Sequence, residues 1–246
     1  MKALFENQNK PLLSIFTTAG YPEIDDFHRQ LALFNSKNVD FIELGIPFSD
    51  PMADGPTIQE TSTVALQNRM NLDLLFEQLN ERKSTLPIVL MGYLNPILLF
   101  GLKRFLEQAK KANVSGFIIP DLEIDLFQQR YKAVFDEFKI PVCFLVTPRT
   151  SNARIQKAAE LSQDGFVYLV STNSITGGEV EGNDQLSSRY TEIKKLCGST
   201  PVMIGFGISD RKSFDSATKN LNGGIIGSAY LKALKKGEES EFLNQF

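Results

Sequence analysis

Residues 39 to 59, VDFIELGIPFSDPMADGPTIQ, begin with a short apolar segment and continue into a loop rich in carboxylates and prolines. The apolar residues, which include Phe41, Ile42 and Leu44, occupy both odd and even positions of the segment. A segment that is apolar on both sides is typical of a strand buried on both faces, inside a parallel sheet covered by helices. This stretch therefore predicts an α/β protein.

A single carboxylate, Glu43, interrupts the apolar strand. Moving a carboxylate from water into a protein interior is energetically unfavourable unless it has a partner or stays protonated. Glu43 is therefore a candidate functional group. The following loop, with Asp50, Pro51, Asp54 and Pro56, is expected to form a rigid turn that brings Asp54 over the pocket holding Glu43. Two acids in two environments indicate acid/base chemistry.

The same kind of segment recurs along the whole chain. Eight β-rich segments lie at 12–20, 39–47, 87–93, 114–121, 141–148, 165–172, 201–209 and 223–229. Seven clear helical patterns separate them, at 23–38, 72–84, 101–113, 125–139, 150–163, 187–198 and 211–221. Eight βα units predict a single (β/α)8 TIM barrel over residues 1–246, because that fold needs about 250 residues and places its active site at the carboxyl ends of its strands.

Composition excludes several classes of function. A net charge of -3 and a pI near 5.4 provide no broad basic surface for nucleic acid. We expect a cytoplasmic protein, since no segment has the length of a membrane span and residues 1–13 lack a leader pattern. Cys143 and Cys197 are far apart and predicted to be structural thiols. The only histidine, His28, is predicted on a surface helix, which argues against histidine-based metal or triad chemistry.

The late strand ends are rich in glycine. Gly205-Phe206-Gly207 and Gly227-Ser228 follow the last two strand segments, where barrels commonly bind phosphate through backbone N–H groups. Thr176-Gly177-Gly178, after the sixth segment, could complete this site. A phosphorylated small molecule is therefore the expected ligand, although each glycine could serve only as a turn residue. Aromatic residues at the strand ends are candidates to line a pocket for a flat ring: Phe16, Phe48, Tyr93, Tyr168 and Phe206. Fold and phosphate alone leave isomerase, aldolase, epimerase and decarboxylase chemistry open.

The segment IELGIPFSDPMADGPTIQ at 42–59 resembles the signature of the tryptophan synthase alpha chain family. Six further segments are similar to the family's motifs in the same order: FTTAGYP (16–22), LMGYLNPILLFG (90–101), GFIIPDL (116–122), YLVSTNSITGG (168–178), IGFGIS (204–209) and IGSA (226–229). The resemblance covers nearly the whole chain. The family fold is a (β/α)8 barrel, in agreement with the alternation of strands and helices.

The resemblance implies retro-aldol cleavage of indole-3-glycerol phosphate to indole and glyceraldehyde 3-phosphate, without a metal or an organic cofactor. Glu43 matches the principal acid/base, and Asp54 the second acid, which accepts the indole N–H. Thr176 matches a mobile loop residue that closes with Asp54. The remaining substrate-binding positions carried over are Gly177, Gly207, Gly227 and Ser228 for the phosphate, and Phe16, Tyr168 and Phe206 for the ring.

The resemblance also implies a partner, the tryptophan synthase beta chain, in an α2β2 complex. Segments 50–56 and 95–100 are expected to face it, and indole would pass through a tunnel to the pyridoxal phosphate of the beta chain. Segment 95–100 could equally be the buried start of a helix. Three other functions stay open: a self-sufficient indole-releasing lyase, a weakly active binding subunit, and another phosphate-binding barrel such as an isomerase.

The chain departs from the family pattern at a few positions. Thr172 and Ser174 replace residues of the loop after the sixth strand, where loop dynamics are expected to differ. Glu123 replaces a proline and is expected to alter only the start of the next helix. Segment 177–185 is acidic near the phosphate mouth. Because the glycine segments contain no arginine, we expect backbone groups and a helix dipole to hold the phosphate.

Overall fold

Eight short strands lie within the eight segments predicted from the sequence. A computed structural model describes residues 1–6, 8–171 and 184–246. The strands are β1 (Leu12–Thr18), β2 (Phe41–Gly45), β3 (Ile88–Met91), β4 (Gly116–Ile118), β5 (Leu145–Val146), β6 (Val167–Val170), β7 (Val202–Gly205) and β8 (Gly223–Ile226). All of them pair in parallel, in the order β4-β3-β2-β1-β8-β7-β6-β5.

The two ends of this sheet meet next to β4 and β5. Phe117 forms a parallel bridge with Val142. Its N–H donates to the Pro141 carbonyl at 2.9 Å, and its carbonyl accepts from the Cys143 N–H at 2.7 Å. The sheet therefore closes on itself, which confirms the predicted (β/α)8 barrel.

Helices occupy the connections between the strands. They are α1 (Lys2–Glu6), α2 (Asp26–Asn35), α3 (Pro56–Gln67), α4 (Leu72–Glu81), α5 (Leu94–Phe100), α6 (Leu102–Lys111), α7 (Ile124–Leu126), α8 (Lys132–Phe138), α9 (Asn152–Leu161), α10 (Asp184–Leu196), α11 (Arg211–Thr218), α12 (Ser228–Lys236) and α13 (Glu239–Leu243). Each of the seven predicted helices is found. Within the described parts of the chain, no helix is both long and apolar enough to cross a membrane.

One predicted helix, at 125–139, is interrupted. A π-helical turn, Phe127–Tyr131, separates α7 from α8. Glu123 caps this segment, since its carboxylate accepts from the Leu126 N–H at 3.2 Å. The glutamate in place of proline thus supplies the helix start.

The interior of the barrel is lined by alternate residues of each strand. The rings of Phe41 on β2 and Phe166, which precedes β6, lie 5.7 Å apart across the barrel. Phe5 of α1 contacts Phe166 from below, with ring centroids 6.2 Å apart. Because side chains alternate along a strand, Glu43 and Gly45 face the same interior as Phe41. The acid therefore points into the barrel, above an aromatic floor.

The only histidine and the two cysteines were not assigned to the predicted site. His28 is exposed on α2. Cys143 and Cys197 are both buried and free. These positions confirm the predictions of a surface histidine and two structural thiols.

Candidate active site

Glu43 is a buried acid in the middle of β2. It is 3 % exposed, and its Oε2 atom has no hydrogen-bond partner among the described residues. Burial, and secondly the charge of Asp54, raise the pKa of Glu43 to about 8. The carboxyl group therefore holds a proton at neutral pH, and it can accept one again once that proton has been given away.

Asp54 approaches from the loop between β2 and α3. The loop turns back on itself, because the Asp54 N–H donates to the Pro51 carbonyl at 3.0 Å, and Gln59 Nε2 donates to the Asp54 carbonyl at 2.8 Å. Asp54 is half-buried. Burial raises its pKa to about 6, opposed by a hydrogen bond with Tyr93. At neutral pH, Asp54 is mostly ionised while Glu43 is mostly protonated.

Tyr93 anchors the loop that carries Asp54. Its hydroxyl oxygen accepts from the Ala53 N–H at 2.9 Å, and its ring lies 5.2 Å from that of Phe48. Asp121 fixes the start of α5 directly after Tyr93, since its Oδ1 accepts from the Leu94 N–H at 2.9 Å. The sequence suggested only that Tyr93 lines the pocket. Its role as a loop anchor depends on a backbone contact forty positions away, which no local pattern reveals.

Two aromatic rings at the strand ends rest directly on glycines. A Cβ atom on Gly45 would lie 2.6 Å from Cζ of Phe16, and one on Gly205 would lie 2.0 Å from the hydroxyl oxygen of Tyr168. Both rings are almost fully buried. Burial, and then the charges of Glu43 and Asp54, raise the pKa of Tyr168 well above its usual value. Tyr168 therefore lies close enough to the two acids for their charges to act on its hydroxyl.

Phe206 follows β7 in an unusual backbone conformation. Its φ is 73°, and the next residue, Gly207, has a φ of 75°. A left-handed conformation is uncommon for a residue with a side chain and is found mainly at turns and functional sites. Ser171 Oγ holds it by donating to the Phe206 carbonyl at 3.0 Å. The ring thereby faces Tyr168 at 6.4 Å and 67°. Sequence reasoning found Phe206 but not this turn.

The glycine positions after β7 and β8 lie at the same end of the barrel. Gly205 of β7 pairs with Ile225 of β8. Gly207 and Gly227 each lie two residues after one member of this pair, so they are at the same level of the barrel. Ser228 is the first residue of α12, whose N-terminus has no side-chain cap. By contrast, Asp210 and Ser213 close the N-terminus of α11 with a capping box. The first turn of α12 therefore has backbone donors free for an anion.

Two predicted substrate-binding residues, Thr176 and Gly177, lie outside the described residues, as do the departures Thr172 and Ser174. Of the predicted set, the structure places Glu43, Phe16 and Tyr168 in the barrel mouth. Asp54 lies in the loop above them.

A model of a protein family described as "Tryptophan synthase alpha chain" matches residues 2–245. The chain belongs to the tryptophan synthase alpha chain family. Among curated members, that of Flavobacterium psychrophilum is 44% identical over 92% of this chain and 90% of the relative. That of Karelsulcia muelleri is 41% identical over 100% and 96%.

Solved structures from the tryptophan synthase alpha chain family are similar throughout. The alpha chain of Legionella pneumophila has a TM-score of 0.87 and 27% identity, and covers 99% of this chain and 94% of its own. A tryptophan synthase structure from Mycobacterium tuberculosis has a TM-score of 0.88 and 28% identity, over 99% and 95%. Family membership confirms the barrel and the expected assignment to a lyase of tryptophan biosynthesis that works with a beta chain.

Proposed function

We propose that this chain cleaves indole-3-glycerol phosphate to indole and glyceraldehyde 3-phosphate. The observation that supports it best is the pair of acids at the barrel mouth. Glu43 is buried with a pKa raised to about 8, and Asp54 lies above it with a pKa raised to about 6. Such a pair provides one proton donor and one carboxylate at the same pH.

In the proposed reaction, Glu43 delivers its proton to C3 of the indole ring. The ring becomes an indolenine-like cation, and the bond between C3 and the glycerol side chain is set to break. Glu43, now a carboxylate, takes the proton of the adjacent hydroxyl. The electron pair of the carbon–carbon bond returns to the ring as indole leaves, and the oxygen becomes the aldehyde of glyceraldehyde 3-phosphate. Glu43 ends the cycle protonated, so the proton count balances.

Asp54 would accept the indole N–H and stabilise the positive charge that develops on the ring. A carboxylate placed before the charge appears stabilises the transition state more than the ground state. The hydrogen bond from Tyr93 to Asp54, together with its bond to the Ala53 N–H, supports this placement. Tyr93 is therefore a positioning residue for the second acid.

The substrate's two ends suit the two halves of the barrel mouth. The rings of Phe16, Tyr168 and Phe206 would enclose the indole. The backbone of Gly207 and Gly227, with Ser228 at the uncapped start of α12, would bind the phosphate. From the resemblance, Gly177 would also bind the phosphate, and Thr176 would act together with Asp54.

We further propose that the chain forms an α2β2 complex with the beta chain and that indole passes to the beta chain within it. Met52 and Leu99 are each 81% exposed, and Leu98 is also exposed. Met52 lies two residues from Asp54, and Leu99 lies on α5, which begins directly after Tyr93. Exposed apolar residues beside the site suit a covered surface. The family's biosynthetic role favours a cytoplasmic location, with residues 1–246 acting as one catalytic domain.

The function is tested by incubating the purified chain with indole-3-glycerol phosphate and measuring both products, alone and with a purified beta chain. We expect indole and glyceraldehyde 3-phosphate in equal amounts, with a higher rate in the complex. High turnover without any partner would instead indicate a self-sufficient lyase. If neither product forms, even with an active beta chain, the chain is a binding subunit and the proposed lyase function is wrong.

A further inference from the structure

Two buried polar atoms in the barrel interior lack hydrogen-bond partners among the described residues, Ser14 Oγ and Glu43 Oε2. Two other buried atoms share this property, but they belong to larger groups that are otherwise satisfied. Arg82 donates to the Ala112 carbonyl through Nη1, and Glu239 accepts from Arg29. The Ser14 side chain has no second polar atom.

Ser14 and Glu43 lie on neighbouring strands and face the same space. Ser14 pairs with Phe41, and Glu43 follows Phe41 by two residues. Because paired residues of parallel strands point to the same side, Ser14 shares the interior face of Phe41, whose ring meets Phe166 across the barrel. Ser14 is 0% exposed and Glu43 is 3% exposed. Ser14 Oγ and Glu43 Oε2 are therefore both buried inside the barrel.

A buried polar group without a partner destabilises the folded state. Ordered internal water is the usual remedy, and such a molecule makes about three hydrogen bonds. The inward neighbours of Ser14 on β1 are Leu12 and Phe16, which are much larger than serine. We propose that one ordered water molecule bridges the Ser14 hydroxyl and the Glu43 carboxyl, which makes Ser14 a positioning residue for the proposed acid.

The bridge provides a hydrogen bond to a group that must ionise during the reaction. The titratable groups that act on Glu43 are Asp54 from the loop above, Tyr168 from β6 and Cys143 beside β5. None of these described groups carries a positive charge. A water that donates to the carboxylate favours its charged form, so it lowers the cost of ionisation after the proton is delivered. This inference rests on the proposed role of Glu43.

The test compares Ser14→Val, which fills the water position, with Ser14→Ala, which removes the hydroxyl only. Thr17→Val is the matched control, because Thr17 is a buried residue of the same strand whose hydroxyl bonds Gln30 on the outer side. The readout is the infrared band of the protonated Glu43 carboxyl as a function of pH, identified by its loss in Glu43→Gln. We expect its midpoint to rise by about half a pH unit or more in Ser14→Val, and by less in Ser14→Ala.

The alkaline limb of kcat/KM against pH should move by the same amount, while both readouts stay unchanged in Thr17→Val. An unmoved Glu43 midpoint in both Ser14 variants would overturn the bridge, even if Glu43→Gln abolishes activity and so supports the proposed function. If the variants fail to fold, a high-resolution crystal structure of the wild-type chain decides. Water density within hydrogen-bond distance of both atoms supports the bridge, and a dry interior contradicts it.

Discussion

Glu43 and Asp54 carry different pKa values because Glu43 is fully buried inside the barrel, whereas Asp54 is half-buried and bonded to Tyr93. The proposed reaction starts with Glu43 protonated and Asp54 ionised. We therefore expect kcat/KM to be bell-shaped, rising as Asp54 loses its proton near pH 6 and falling as Glu43 loses its proton near pH 8. A rate that keeps increasing well above pH 8 would contradict these assignments.

The same burial of Glu43 is expected to destabilise the fold at high pH. Its pKa rises from 4.5 to about 8 on folding, so the protonated form is favoured in the folded state and stability is lost as the pH increases through this range. Glu43→Gln should therefore raise the melting temperature more at pH 9 than at pH 5. The gain is roughly 1.4 kcal/mol for each unit of pKa shift. The exposed Glu107→Gln is the control, and an equal change at both pH values would refute the argument.

Glu43 could be predicted from the sequence because a carboxylate inside an apolar strand is anomalous wherever the strand lies, and Asp54 because it lies in the loop that follows this strand. Other parts of the site could not. Tyr93 reaches the Ala53 N–H, and Ser171 reaches the Phe206 carbonyl, through contacts between distant segments. The left-handed backbone conformation of Phe206 could not be predicted, because phenylalanine rarely adopts it. These features depend on how strand ends meet around the barrel.

Among the elements, β6 and β7 meet through Tyr168 and Gly205. Gly205→Ala should displace the Tyr168 ring, because the new Cβ would lie 2.0 Å from its hydroxyl oxygen. We expect KM for indole-3-glycerol phosphate to rise about tenfold, equivalent to about 1.4 kcal/mol of binding. Gly116→Ala is the matched control, since its nearest contact would be 3.5 Å. An equal increase in both variants would indicate a general loss of packing.

The strands were easier to predict than some of the helices. Each strand is apolar and short, so its identity shows locally. The helix α3 was not predicted, because PTIQETSTVALQ contains several β-branched residues, which have low helix propensity. In α5, Pro96 within LNPILLF obscures the pattern. Both helices form because they pack onto a barrel whose existence only the whole chain reveals.

For the whole molecule, the exposed apolar residues beside the site predict where the beta chain binds. Leu99→Asp should weaken beta-chain binding about tenfold or more and reduce activation, while the activity of the isolated chain is retained. Leu66→Asp is the control, because Leu66 is an exposed leucine at the C-terminal end of α3, whereas the loop that carries Asp54 precedes the N-terminal end of this helix. Titration calorimetry with purified beta chain measures the affinity. Equal binding by both variants would exclude the Leu99 surface.

The most direct measurement is indole release from indole-3-glycerol phosphate by the beta-chain complex, with wild-type chain, Glu43→Gln and Asp54→Asn in parallel. We expect each variant to bind the beta chain but to lose at least about a hundredfold in kcat, since each removes one acid/base group. Glu43→Gln should lose more, because Glu43 both delivers and takes up a proton in the proposed reaction. Near wild-type indole release by Glu43→Gln would contradict the central claim.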